Sequence, residues 1–144
     1  MKIIILNSTM TFKEYSNDPV LALRENTYFN NDGSFNNGPA STSSQYMKFG
    51  SDPTHFKKSD FSANDKVISS LSGLQVRFVY FSGTSASDFI AKGDNISIGS
   101  GVSILTALNS EHPNATHFGV TVSKTSSETI SQAELDNVSF QIAQ

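Results

Sequence analysis

Any chemistry this chain does must come from serines, histidines, acids and lysines, because it contains no cysteine. Disulfides, thiolate metal sites and cysteine nucleophiles are excluded together. Serine catalysis in hydrolase folds needs a G-x-S-x-G turn between a strand and a helix. The chain has 24 serines and no such turn, so no catalytic residue is assigned. Two histidines, His112 and His117, sit five apart in Glu111-His112-Pro113-Asn114-Ala115-Thr116-His117. On a helix that spacing does not share a face, and Pro113 stops a helix in any case. In a hairpin the two imidazoles and Glu111 could converge on a metal, but they are read as solvent-facing loop and strand residues. Asn30-Asn31-Asp32-Gly33 is rich in oxygen, yet it lacks the alternating spacing and closing Glu of a calcium loop. It reads as a turn. A glycosidase would need two carboxylates across a cleft, and nothing in the order of the 13 acids pairs any two. No metal, no cofactor and no enzymatic activity are expected.

Nucleic acid is an equally poor partner. The net charge is −3, and phosphate binding draws its affinity from clustered cations. Lys57-Lys58 is the one adjacent basic pair, with Asp52, Asp60 and Asp65 near it in sequence. Glycan is a better one. Sugar sites combine aromatic rings with Asn, Asp and Gln hydrogen bonds. The stretch from Tyr28 to Phe61 mixes those types, and Tyr28, Phe35, Asn36, Tyr46 and Phe49 are its candidate binding residues. Leu135-Asp136-Asn137-Val138-Ser139-Phe140 resembles the last strand of some carbohydrate-binding jelly rolls, which implies a similar fold and ligand class. The chain has no Trp, the usual sugar platform, and its 11 Phe outnumber 4 Tyr, so the rings also fit as core anchors. Four N-x-[ST] triplets, at Asn7, Asn95, Asn114 and Asn137, are about as many as chance places in so Ser- and Thr-rich a chain.

The elements that would position these residues are mostly strands. Leu74, Val76, Phe78 and Tyr80 alternate with Gln75, Arg77, Val79 and Phe81. The second face starts polar and turns apolar, as in a central strand half covered by something else. Phe118, Val120 and Val122 alternate with His117, Gly119, Thr121 and Ser123, and Val138, Phe140 and Ile142 with Asn137, Ser139 and Gln141. Both read as one dry and one wet face of an antiparallel sheet. Phe89–Ala91 and Ile96–Ile98 flank the turn-forming Lys92-Gly93-Asp94-Asn95 as a hairpin would. After Gly99-Ser100-Gly101, Val102, Ile104, Thr106 and Leu108 continue at strand period, although a helical face is also available there. Ile3-Ile4-Ile5-Leu6 reads as a buried strand, too short for a signal-peptide core. No apolar stretch is long enough to span a membrane as a helix.

Helical signals are short. Asp18-Pro19 opens Val20–Glu25 like an N-cap and first-turn proline. Ser62-Ala63-Asn64-Asp65 resembles a capping box before Val67, Ile68 and Leu71, with Gly73 as the stop. Ser131-Gln132-Ala133-Glu134 is a third start. Between residues 30 and 65, turn clusters alternate with Phe35, Tyr46, Phe49, Phe56 and Phe61. Disordered segments are poor in aromatics, so this is an ordered excursion pinned by rings, with a short strand at Gln45–Phe49.

About eight short strands separated by Gly, Asn and Pro turns predict a single all-β domain over residues 1–144. Its form would be a two-sheet antiparallel β-sandwich, jelly-roll or immunoglobulin-like, with one or two short helices in the connections. Charged residues are 16% of the chain, against about a quarter in ordinary domains. Ser, Thr and Asn make up 47 of 144 residues, and these lose little rotamer entropy when covered. A skin of such side chains suits contact. The expectation is a non-enzymatic structural protein that self-associates as a homo-oligomer or within a larger particle. A virion subunit (capsid, decoration or tail appendage) is the specific form, with a virion or extracellular location. A lectin-like carbohydrate- or receptor-binding module is the alternative.

Overall fold

The computed structural model describes residues 55–141 continuously and, before them, residues 23–24, 28–30, 32, 34–36 and 47–49. Its early strands are β1 (Leu23–Arg24), β2 (Tyr28–Phe29), β3 (Phe35–Asn36), β4 (Met47–Phe49), β5 (Phe56–Lys57) and β6 (Lys66–Ser69). The later ones are β7 (Leu74–Phe81), β8 (Phe89–Lys92), β9 (Ile96–Ser97), β10 (Val102–Ser103), β11 (His117–Lys124) and β12 (Val138–Gln141). Two short helices, α1 (Ile104–Glu111) and α2 (Gln132–Leu135), lie in connections. The protein is an all-β sandwich of antiparallel sheets, as its alternation predicts.

Its longest ladder joins β7 to β11 in register from Leu74↔Lys124 to Phe81↔His117. β4 and β5 share the far side of β11, with β1 beyond β4, while β8 and β9 share the far side of β7. The second sheet has β6 between β10 and β12, and β2 pairs with β3 as a separate hairpin. Alternation sends Leu74, Val76, Phe78 and Tyr80 of β7 and Phe118, Val120 and Val122 of β11 to one face. All are buried there against Val67 of β6, Val138 and Phe140 of β12, Ile104, Ala107 and Leu108 of α1, and Leu135 of α2. Four phenylalanines bind the layers together. Phe56, Phe61, Phe118 and Phe140 have ring centroids 5.2–6.1 Å apart, mostly edge to face, the favoured geometry of aromatic pairs.

The other face of the large sheet is closed at its centre as well. Val79 and Phe81 are fully buried beside Phe89, and the His55 ring stacks on Phe81 with centroids 3.6 Å apart. On β11, Gly119, Thr121 and Ser123 are buried too, so this face is not the wet one expected from their polarity. Small polar side chains are covered there at low cost because they bond within the sheet. Thr121 Oγ1 donates to the Arg77 carbonyl (3.2 Å) and Gln75 Nε2 to Ser123 Oγ (3.0 Å).

Four further expectations are corrected. Ile104–Glu111 is a helix, not a strand: the Ser103 hydroxyl accepts from the Thr106 amide, and Ile104, Ala107 and Leu108 form one buried helical stripe. The segment after Ser62–Asp65 is the strand β6, not a helix. Asp65 does close a box there, its carboxylate accepting from the Ser62 amide (2.7 Å) and hydroxyl (3.0 Å). The chain then turns into the slot between β10 and β12, where ladder pairing outweighs helical propensity. Leu23–Arg24 pairs with β4 instead of continuing a helix. Finally, β8 and β9 do not pair with each other, since both run antiparallel to β7 as one interrupted edge strand. The start at Ser131 holds, with reciprocal Ser131–Glu134 bonds opening α2. Asp18–Ala22, the Ile3–Leu6 strand, Gln45, Tyr46 and Ile142 lie outside the described residues.

Phe118 sits where both sheets meet, so its replacement tests the architecture. Phe118→Ala is expected to lose about 3–5 kcal/mol of unfolding free energy, read from the urea midpoint. Ile90→Ser, at a 40% exposed position, is expected to change it by less than about 0.5 kcal/mol.

Candidate functional site

The acids and imidazoles flagged by their types do not form one cluster. Glu111 ends α1, and its carboxylate accepts the Tyr80 hydroxyl through Oε1 and the Asp94 amide through Oε2 (2.7 Å). Tyr80 comes from the buried face of β7, and Asp94 from the break between β8 and β9. Gly93 stands there because the Glu111 carboxylate fills the space a methyl group would need. One carboxylate therefore ties helix, central strand and edge strand together. Burial, and then the hydrogen bond to Glu111, push the Tyr80 hydroxyl well above the usual phenol range. It stays protonated as a donor, which suits a fastening and not a general base.

His112 lies against the Tyr80 ring with centroids 4.9 Å apart, while His117 Nδ1 meets Thr116 Oγ1 at 2.8 Å. The hairpin that would bring Glu111, His112 and His117 onto one ion is not formed, and no trio of metal-ligating side chains comes together among the described residues. Asp32 is likewise spent locally, accepting from the Ser34 amide (2.9 Å) and hydroxyl (2.6 Å) across the β2–β3 turn. Those bonds hold its carboxyl below the usual range.

The candidate glycan residues are partly gathered. Register places Tyr28 opposite Asn36 and Phe29 opposite Phe35 on the β2–β3 hairpin, and Phe49 opposite Leu23 between β4 and β1. Tyr46 lies outside the described residues. Phe56 and Phe61 of the same excursion are core anchors.

Among the described residues, a cleft of about 350 Å³ has Asp94 and Glu111 in its lining, next to the Tyr80 fastening, and two further surface features stand apart from it. The first is the outer edge of the large sheet. At Ile90 an extra residue opposes the Tyr80–Phe81 step, a β-bulge that turns its side chain outward, and the ladder lapses again at Gly93–Asn95. The second is a cleft of about 500 Å³ between Lys57–Ser59 and Pro113–Thr116, floored by Phe61, Leu105 and Ala115. Its walls are pinned to each other. Lys58 N donates to the Thr116 carbonyl (2.9 Å) and Lys58 Nζ to the Pro113 carbonyl (3.0 Å). The sequence marked the lysine pair but not the cleft, whose floor comes from three separate segments. Among the described residues, no helix is long and apolar enough to cross a membrane. Comparison with protein-family models, curated proteins and solved structures finds no match.

Tyr80→Phe deletes the fastening with little change of shape, and is expected to cost about 1–3 kcal/mol. Because the folded hydroxyl titrates above its ordinary 10.0, its contribution is complete below that pH and declines as pH rises beyond it. The wild-type protein should lose up to about 1.4 kcal/mol per pH unit more than Tyr80→Phe above pH 10. Paired chemical denaturation curves at pH 8, 10 and 11 check this, and parallel losses in both proteins would refute it.

Proposed function

We propose that this chain is a non-enzymatic assembly protein that works by contact with copies of itself. The observation that supports this best is where the partly or fully covered acids among the described residues are spent. Asp65 closes the turn before β6, Glu111 fastens Tyr80 and the Asp94 amide, Asp88 caps the Ser85 turn and Glu134 caps α2. Each serves the fold. Where Glu111 shares a small cleft with Asp94, both its oxygens are already committed, to the Tyr80 hydroxyl and the Asp94 amide.

The surface supports the same reading. Few charges and many Ser, Thr and Asn side chains make desolvation on contact cheap. Strand addition along β8 is blunted by the bulge and the break, both common protections of open edges. Copies would therefore meet through side-chain faces in a closed symmetric set. The particular form we propose is a virion subunit, a capsid, decoration or tail-appendage protein, in a virion or extracellular setting.

The alternative proposal, a carbohydrate- or receptor-binding module, draws on the hairpin register that puts Tyr28 opposite Asn36. Light scattering on the purified protein separates the two. A mass at a fixed multiple of 15.6 kDa, with a blank glycan array, is expected. A stable 15.6 kDa monomer with saturable sugar binding lost in Asn36→Ala would overturn the assembly reading.

A further inference from the structure

We infer that the cleft beneath Lys57 and Lys58 is a binding site for a small organic carboxylate with an apolar body. The two halves of that ligand follow from the two halves of the site. The floor is apolar: Phe61 and Ala115 are buried and Leu105 is half-covered. A volume of about 500 Å³ lies within the range that ordinary ligand sites occupy. The mouth is cationic. Lys57 is exposed, and the Lys58 ammonium donates one of its three N–H hydrogen bonds to the Pro113 carbonyl. That bond fixes the charge at the cleft wall, and among the described residues that line the cleft none is a carboxylate.

This local excess of positive charge occurs in a chain whose net charge is −3. The one adjacent basic pair of the sequence lines an apolar hollow, and Asp60 at the end of the same turn is not among the residues lining it. An anion with an apolar tail satisfies both parts. A neutral apolar molecule would leave the ammonium groups unused, and an amine would be repelled by them. The walls are held by the Lys58–Thr116 backbone bond and by the pairing of β5 with β11, so the site is formed in advance of binding.

Octanoate is the probe, with octylammonium as the matched cation, followed by amide chemical shifts of the full chain. Octanoate is expected to give saturable shifts confined to Ser59, Leu105 and the Asn114–Thr116 wall. Octylammonium should bind at least fivefold more weakly. Lys57→Gln/Lys58→Gln is expected to weaken octanoate by about three- to tenfold, from two exposed charge pairs, and Lys66→Gln, outside the cleft, to leave it unchanged. Raising salt from 0.02 to 0.5 M should weaken the wild type and spare the double variant. Equal binding of anion and cation, shifts spread over the surface, or no saturation by octanoate would each overturn the assignment. Unchanged urea midpoints and unchanged amide shifts of β5 and β11 in the ligand-free double variant are expected, and show that weaker binding is not loss of the walls that Lys58 helps to pin. Tests of the self-association reading are separate, because this site is defined within one chain.

Discussion

Everything in the structure is hung on the β7–β11 ladder. Eight residues of each strand pair without a break, and every other strand of the large sheet is attached to one of these two or, like β1, to a strand that is. The pairing also fixes which side chains face inward. A slip of one residue would turn Phe78, Tyr80, Phe118 and Val120 away from β6, β12 and α1, and would put Arg77 and Gln75 in their place. That penalty is what makes the register unique. The phenylalanine cluster then reads as its consequence: rings from β5, the turn after it, β11 and β12 meet because the ladder holds Phe118 at the junction.

The polar groups follow the same logic. A buried tyrosine hydroxyl needs an acceptor, and Glu111 supplies one from the end of α1. Having one oxygen so occupied, the carboxylate uses the other to hold the Asp94 amide, where the edge strand has lapsed. Thr121, Ser123 and Gln75 solve the parallel problem on the opposite face by bonding across the ladder. Among the described residues, the covered carboxylates are tied to the fold by such hydrogen bonds.

How much of this can be read from the residues depends on the reach of the signal. β7, β11 and β12 announce themselves because an eight- or four-residue alternation of large apolar groups has one physical solution, a half-buried strand. The Ser131–Glu134 box is local and is also legible. Val67, Ile68 and Leu71 satisfy helical and extended spacing alike, and only the slot between β10 and β12 decides for strand. Val102–Leu108 has the reverse ambiguity, settled by the Ser103 cap and the stripe of Ile104, Ala107 and Leu108. The wet face assigned to β11 failed because Gly, Thr and Ser are small enough to be covered once bonded. The cleft floor joins Phe61, Leu105 and Ala115, which are neighbours only after folding, and no spacing rule carries that information.

Native-state hydrogen exchange is the most direct test of the claim that the β7–β11 pair is the keystone. The amides bonded across that ladder should open only with global unfolding, at the free energy measured by urea, while those of β8 and β9 exchange through smaller local openings. If the β7 and β11 amides exchange as fast as the edge, or lose protection while the β6–β12 pair keeps it, the ladder is not what holds the molecule together.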